Sequence, residues 1–124
     1  MKYAYIAIGG ALGTLLRYIT SSWITGVFPD SRFPWGTFFI NMTGSFVIGF
    51  IAGLNQSSEF TLTTRLFLFT GLLGGYTTYS AYALETFQLV KGNQFTLAIT
   101  YVIASTLLGV LFAALGFWIK VRGV

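Results

Sequence analysis

Residues 70–85 read TGLLGGYTTYSAYALE, a long apolar stretch that is nevertheless a poor helix sequence at its centre. The glycine pair Gly74 and Gly75 is followed, after one residue, by the β-branched pair Thr77 and Thr78. Glycine and β-branched residues disfavour a helix interior. The stretch therefore predicts a helix that breaks near its middle. Two explanations remain open, a kink satisfied by neighbouring hydroxyls and a small cation bound to the freed carbonyls.

The composition of the whole chain places this stretch in a membrane. Of 124 residues, 55% are hydrophobic and 8% are charged, and the mean hydropathy is +0.76. An ordinary soluble domain has roughly 25% charged residues. Histidine and cysteine are absent, which excludes an imidazole base, a thiolate nucleophile and a Cys/His zinc site, so we do not expect an enzyme. The seven basic residues are scattered singly, which favours membrane edges over a nucleic-acid partner.

The spacing of the charges sets the number of spans. A bilayer core about 30 Å thick needs roughly 20 apolar helical residues. Three windows of that size carry no charge, and a fourth apolar segment is interrupted by Arg17. We therefore predict an all-α, multi-pass membrane protein with one domain, residues 1–124, and four transmembrane helices near residues 3–25, 35–54, 66–90 and 95–119.

The orientation of these spans is weakly determined. Four basic residues fall on one side, Lys2, Arg65, Lys120 and Arg122, and two on the other, Arg32 and Lys91, with Arg17 nearer the second. The rule that cytoplasmic loops carry excess Lys and Arg therefore leaves two topologies open. Either every chain has its N-terminus in the cytoplasm, or chains insert in both orientations and assemble as antiparallel pairs. Four helices are few for a transport pathway, so we expect a homo-oligomer.

Glycines at four-residue spacing, Gly9 with Gly13 and Gly49 with Gly53, predict close helix packing. The packing can lie within one chain or between two chains.

Several polar side chains interrupt the apolar spans. Asn41 lies near the middle of the second span with Thr37 one turn before it, and Tyr101 and Ser105 share one face of the fourth. Such groups either hold helices together by hydrogen bonds or donate to a dehydrated anion. Tyr79 and Tyr82 share a face after the predicted break, beside Ser80. Their positive ring edges either pack in the core or face an anion.

Arg17 is the one cation within a span. It either extends to the membrane surface or faces an aqueous vestibule, where it would attract anions. Glu85, which also lies near a helix end, is its best candidate partner.

Three segments together resemble the Fluc (CrcB-type) family of fluoride channels. They are GGALGTLLRY at 9–18, PWGTFFINMTGSFVIG at 34–49 and TGLLGGYTTYSAYALE at 70–85. The resemblance covers nearly the whole chain. It implies an antiparallel, dual-topology homodimer with two fluoride pathways and a structural sodium ion on the twofold axis.

The resemblance also implies roles for individual residues. The backbone carbonyls of Gly74 and Thr77, from both subunits, would bind sodium, and Arg17 would lie near the aqueous vestibule. The expected fluoride pathway comprises Asn41, Tyr79, Tyr82, Ser80, Tyr101, Ser105 and Thr37.

The chain departs from the family pattern at its ring pair. Tyr79 and Tyr82 stand where phenylalanine is typical, so that two phenolic hydroxyls are added. Ala81 and Ala83 stand where small hydroxyl residues are usual, and Gly109 offers no hydroxyl in the fourth span. These changes affect the expected throughput and selectivity more than the expected fold.

The function that we predict is passive, fluoride-selective conduction across the cell inner (plasma) membrane, which exports cytoplasmic fluoride and lowers its toxicity. The expected partners are fluoride, membrane lipid and a second copy of the chain.

A small, dual-topology, proton-coupled multidrug exporter is the main alternative, but it needs an acid deep in a span, where this chain has Arg17. A non-transporting membrane assembly factor is a third possibility, which the mid-membrane asparagine and the break disfavour.

Overall fold

The structure, a computed structural model, describes residues 1–123, so Val124, the last residue of the predicted domain, lies outside the described residues. The described residues form helices and short connections, with no strand. In chain order the helices are α1 (Lys2–Val27), α2 (Trp35–Ser58), α3 (Leu62–Arg65), a π-helix named π1 (Leu66–Leu73), α4 (Gly74–Tyr76), α5 (Tyr79–Lys91) and α6 (Phe95–Gly123).

The long helices start and stop where the local sequence favours it. Pro34 precedes the first residue of α2, a position where its missing N–H costs little. Glu59, in the left-handed conformation at φ 45°, ends α2, and Gly92 follows the last residue of α5. Thr61 caps α3 by accepting a hydrogen bond from the N–H of Thr64.

Two helices, Trp35–Ser58 and Phe95–Gly123, are long and apolar enough by length and composition to cross a membrane. A helix of 24 residues such as α2 is about 36 Å long, compared with a hydrocarbon core of about 30 Å. The third predicted span is divided among π1, α4 and α5, and its apolar residues therefore do not form one long helix.

Glycine residues determine how closely the helices approach one another. Helix α2 packs mainly on α6, and a Cβ atom added at Gly49 would overlap the carbonyl oxygen of Ala113. A Cβ atom added at Gly116 would likewise overlap the carbonyl oxygen of Phe46. We call Gly49, Gly53 and Gly116, with the α2 and α6 backbone that they contact, the glycine seam.

Helix α1 packs on π1 and α4 through a second set of glycines. A Cβ atom at Gly13 would overlap the carbonyl oxygen of Leu72, and one at Gly9 would lie 2.7 Å from the carbonyl oxygen of Phe67. Both predicted glycine pairs therefore serve packing within one chain.

The buried core is small and aromatic. Tyr101 and Ile40 are its largest fully buried side chains. Tyr101 packs with Leu89 and Ala98, and partly buried neighbours, Phe33, Phe38, Tyr82 and Leu97, surround this cluster. The core thus lies where α5 and α6 meet the start of α2.

Candidate functional site

The helical backbone is interrupted at Thr77 and Thr78. Helix α4 ends at Tyr76 and α5 begins at Tyr79, with Thr77 at φ −85° and ψ 160° and Thr78 at φ −148° and ψ 125°. Both residues are therefore extended, as β-branched residues prefer. The predicted break of the third helix is confirmed, and we call these two residues the break.

Asn41 of α2 hydrogen-bonds both backbone groups of Thr78. Its Oδ1 accepts from the Thr78 N–H at 3.0 Å, and its Nδ2 donates to the Thr78 carbonyl at 3.1 Å. One amide side chain thus replaces the helical partner of the Thr78 N–H and adds a donor to the Thr78 carbonyl, which as the N-cap of α5 also accepts the first bond of that helix. Of the two predicted roles of Asn41, the structure shows the hydrogen bond between helices, while donation to an anion stays a prediction.

The threonine hydroxyls of the break bind backbone groups of their own segment. Thr77 Oγ1 donates to the Leu73 carbonyl at 3.0 Å, and Thr78 Oγ1 accepts from the Ala81 N–H at 3.2 Å. In a continuous helix the Thr78 and Ala81 N–H groups would bind the carbonyls of Gly74 and Thr77. Because these two N–H groups are bound by side-chain oxygens, both carbonyls lose their usual helical partners.

The charged side chains near the break bind other partners than the sequence indicated. Arg17 Nε donates to the Gly75 carbonyl at 3.0 Å. Glu85 accepts hydrogen bonds from Thr37 Oγ1 at 2.7 Å and from the Tyr101 hydroxyl at 2.9 Å. The expected pairing of Arg17 with Glu85 is therefore replaced by bonds to a free carbonyl and to two hydroxyls.

Arg17 also lines an open cavity of about 770 Å³ beside α1. Hydroxyls of Thr14, Ser21 and Thr25 share this cavity with it, and Thr37 and Glu85 also line it. A cationic side chain among hydroxyls can attract an anion from water. The predicted vestibule role of Arg17 is compatible with this placement and remains a prediction.

A second cavity, of about 420 Å³, lies directly at the break. We call it the break groove, and its lining includes Asn41, Thr77, Thr78, Tyr79, Tyr82 and Ser105. Thus four of the seven residues predicted for the fluoride pathway meet in one groove. Ser80 is exposed and does not line the groove, and Thr37 lines the Arg17 cavity instead.

The rings at the groove form a series. The centroids of Tyr79 and Tyr82 lie 5.7 Å apart, and those of Tyr82 and Tyr101 lie 5.1 Å apart at an interplanar angle of 62°. Tyr79 is 79% exposed, whereas Tyr101 is fully buried. The series therefore leads from the surface of the chain to the hydroxyl that binds Glu85.

Two contacts near the break were not anticipated from the sequence. One is the acceptor role of Glu85, which its position as an acid within a predicted span could have indicated. The other joins the Tyr76 hydroxyl to Thr43 Oγ1 at 2.9 Å, next to Gly44, whose missing side chain leaves room for Tyr76 and Thr77. No sequence pattern within α2 or α4 could have predicted this contact between the two helices.

The described part of the chain contains no group of three His, Cys, Asp or Glu side chains that could hold a metal ion. A cation bound at the break would therefore depend on backbone carbonyl and hydroxyl oxygens. Such oxygens are suitable ligands for a small hard cation.

Comparison with known proteins gives a consistent result over nearly the full chain. Residues 4–117 match the protein family described as "CrcB-like protein, Camphor Resistance (CrcB)". A fluoride-specific ion channel of Thermus thermophilus is 42% identical over 116 residues, which are 94% of this chain and 91% of the relative. Proteins of the same name from Campylobacter fetus and Helicobacter pylori are 39% and 38% identical, covering 93% and 96% of this chain and 90% and 92% of the relatives.

Proposed function

Because this chain belongs to the CrcB-like family, we propose that it is a passive, fluoride-selective ion channel of the cell inner membrane. The observation that carries the proposal is the break groove, which brings Asn41, Tyr79, Tyr82 and Ser105 together. The relatives named as fluoride-specific ion channels support the choice of ion. The long apolar helices support a membrane location.

The groove offers an anion the contacts that replace water. Fluoride is small and strongly hydrated, so a pathway must supply several fixed donors and positive ring edges. Ser105 provides a hydroxyl, Asn41 has a second amide hydrogen besides the one donated to Thr78, and Tyr79 and Tyr82 provide ring edges and phenolic hydroxyls. None of these groups carries a full positive charge. A full charge would bind the anion too strongly for release.

Export needs no coupled energy source in this scheme. A membrane potential that is negative inside drives an anion outward with about 2.3 kcal/mol per charge per 100 mV. Conduction of fluoride down this potential would lower its concentration in the cytoplasm. Arg17, in its open cavity, would concentrate anions at one mouth of the pathway.

The assembly that we propose is an antiparallel, dual-topology homodimer of four-span chains. Its support is the near balance of basic residues on the two sides and the exposure of Tyr79 and Gly74 in the single chain. Residues of the break are thus accessible to a second copy. Contact there would cover a tyrosine ring and a glycine backbone that the single chain leaves open.

The same assembly would hold a structural sodium ion through the carbonyls of Gly74 and Thr77. These residues fit the ion, because the N–H groups that normally bind the two carbonyls are bound by Asn41 and Thr78. Sodium would supply positive charge near the centre of the membrane. If so, replacing sodium with a large organic cation should weaken the dimer in size-exclusion chromatography. A dimer that is indifferent to this exchange would favour a break without a metal ion.

The function is tested by anion efflux from proteoliposomes. Vesicles with purified dimer should release fluoride to a fluoride-selective electrode after a potassium ionophore is added, while chloride in a parallel sample stays inside. Empty vesicles are the control for leakage. Fluoride release that equals the empty-vesicle rate, with folded dimer present, would refute the proposal.

A further inference from the structure

Phe33 lies in the connection between α1 and α2, yet its backbone is fixed on both sides. Its N–H donates to Ser31 Oγ at 3.2 Å, and its carbonyl accepts from the Trp35 N–H at 2.8 Å. The Phe33 ring also packs on the Trp35 ring, with centroids 4.6 Å apart. This connection therefore holds a ring in a defined position.

The Phe33 ring contacts the most buried ring of the site. Its centroid lies 5.4 Å from that of Tyr101 at an interplanar angle of 77°, an edge-to-face geometry. Tyr82 contacts the same Tyr101 ring at 5.1 Å. Two neighbouring rings therefore fix the orientation of Tyr101, whose hydroxyl donates to Glu85.

Phe33 also lines a cavity of about 460 Å³ at this end of the chain. Arg32, Glu85, Gln88 and Gln94 line the same cavity, and we call it the outer polar cavity. The ring series Tyr79, Tyr82, Tyr101 and Phe33 thus begins in the break groove and ends at a polar opening. Phe33 is the last ring of this series, and the buried Tyr101 ring separates it from the groove.

We propose that Phe33 is a positioning and specificity-determining residue of the pathway, the ring at its outer mouth. This inference rests on the proposed function and extends it to a residue outside the four spans. The ring has two roles. It holds Tyr101 in the orientation that binds Glu85, and its positive edge assists a small dehydrated anion between Tyr101 and the water of the outer polar cavity.

The test compares two replacements of Phe33 in the dimer reconstituted in liposomes. Phe33→Leu keeps an apolar side chain but removes the ring. Pentafluorophenylalanine at position 33 keeps the ring shape but reverses the polarity of its edge. We expect both to reduce fluoride efflux per folded dimer by about fivefold, a size consistent with the loss of one aromatic interaction. Phe33→Tyr, which keeps the ring and the polarity of its edge, should lose less efflux than Phe33→Leu.

Phe39→Leu is the matched control, because Phe39 lies on α2, six residues after Phe33, and lines a different, apolar cavity with Ile24 and Met42. It should conduct fluoride as the wild type does. If Phe33→Leu does not fold, the pentafluorophenylalanine variant still tests the role of the ring edge, because it preserves the packing of the ring. Wild-type efflux in the ring-altered variants would overturn the role of Phe33 alone. A wild-type protein that releases no fluoride would overturn the proposed function and this inference with it.

Discussion

The break and the glycine seam differ in how they hold neighbouring helices together. At the seam, Gly49 and Gly116 bring the α2 and α6 backbones into contact, and no side-chain polar group is needed. At the break, Asn41, Arg17 and Thr78 supply hydrogen bonds to backbone groups that the helix has released. The seam therefore serves close packing, whereas the break keeps polar groups at the wall of an open groove.

The largest effect is expected at the seam. A leucine side chain at Gly49 would overlap the carbonyl oxygen of Ala113, which is backbone and cannot move aside. Gly49→Leu should therefore abolish the monodisperse peak in size-exclusion chromatography. Gly26→Leu is the control, because no heavy atom lies within 4 Å of a Cβ atom added there. A normal peak for Gly49→Leu would show that the two helices do not pack as described.

The break should respond more moderately to loss of its side-chain partner. Asn41→Leu leaves the N–H of Thr78 unpaired and removes one of the two donors to its carbonyl, which should lower the free energy of unfolding by about 2 kcal/mol. Unfolding in an SDS titration measures the change.

The control for this change is Asn55→Leu, which removes a single bond to the Phe60 N–H near the end of α2. We expect a smaller loss there, because water can replace that bond. Equal losses for Asn41→Leu and Asn55→Leu would contradict the special role assigned to the break.

The difference between the two regions also explains how much the sequence could predict. The break follows from local propensity at Gly74, Gly75, Thr77 and Thr78. The seam follows only in part, because Gly49 and Gly53 have the four-residue spacing and Gly116 does not. The partners of the break do not follow, because Asn41 and Thr78 are 37 residues apart and Arg17 and Gly75 are 58 apart. Residues Leu66–Leu73 are mostly apolar and contain no motif that distinguishes a π-helix from an α-helix. Their π-helical form could therefore not be predicted from the sequence.

The site residues divide in the same way. The faces of α2 and α6 that carry Asn41 and Ser105 follow from helical spacing, and the structure brings both to the break groove. The bonds of Glu85 to Thr37 and Tyr101 depend on the crossing of three helices. Spacing along one helix carries no information about such a crossing, and the sequence therefore indicated Arg17 as the partner on charge alone.

The smallest effect is expected at the edge of the break. Tyr76→Phe removes the contact between the Tyr76 hydroxyl and Thr43 Oγ1, but Thr43 still binds the Phe39 carbonyl. The free energy of unfolding should therefore fall by only about 0.5–1 kcal/mol. Tyr18→Phe, at a ring that is 72% exposed, is the control and should change nothing. A loss as large as that of Asn41→Leu would mean that Tyr76, too, is an essential support of the break.

The central claim, that the break region conducts fluoride selectively, is tested most directly by a reversal potential. A planar bilayer containing the wild-type protein is bathed in a tenfold fluoride gradient, with chloride equal on both sides and an impermeant cation. We expect a reversal potential close to the fluoride equilibrium value, about 59 mV for a tenfold gradient of a monovalent ion. A reversal potential near zero, set by chloride, would contradict it.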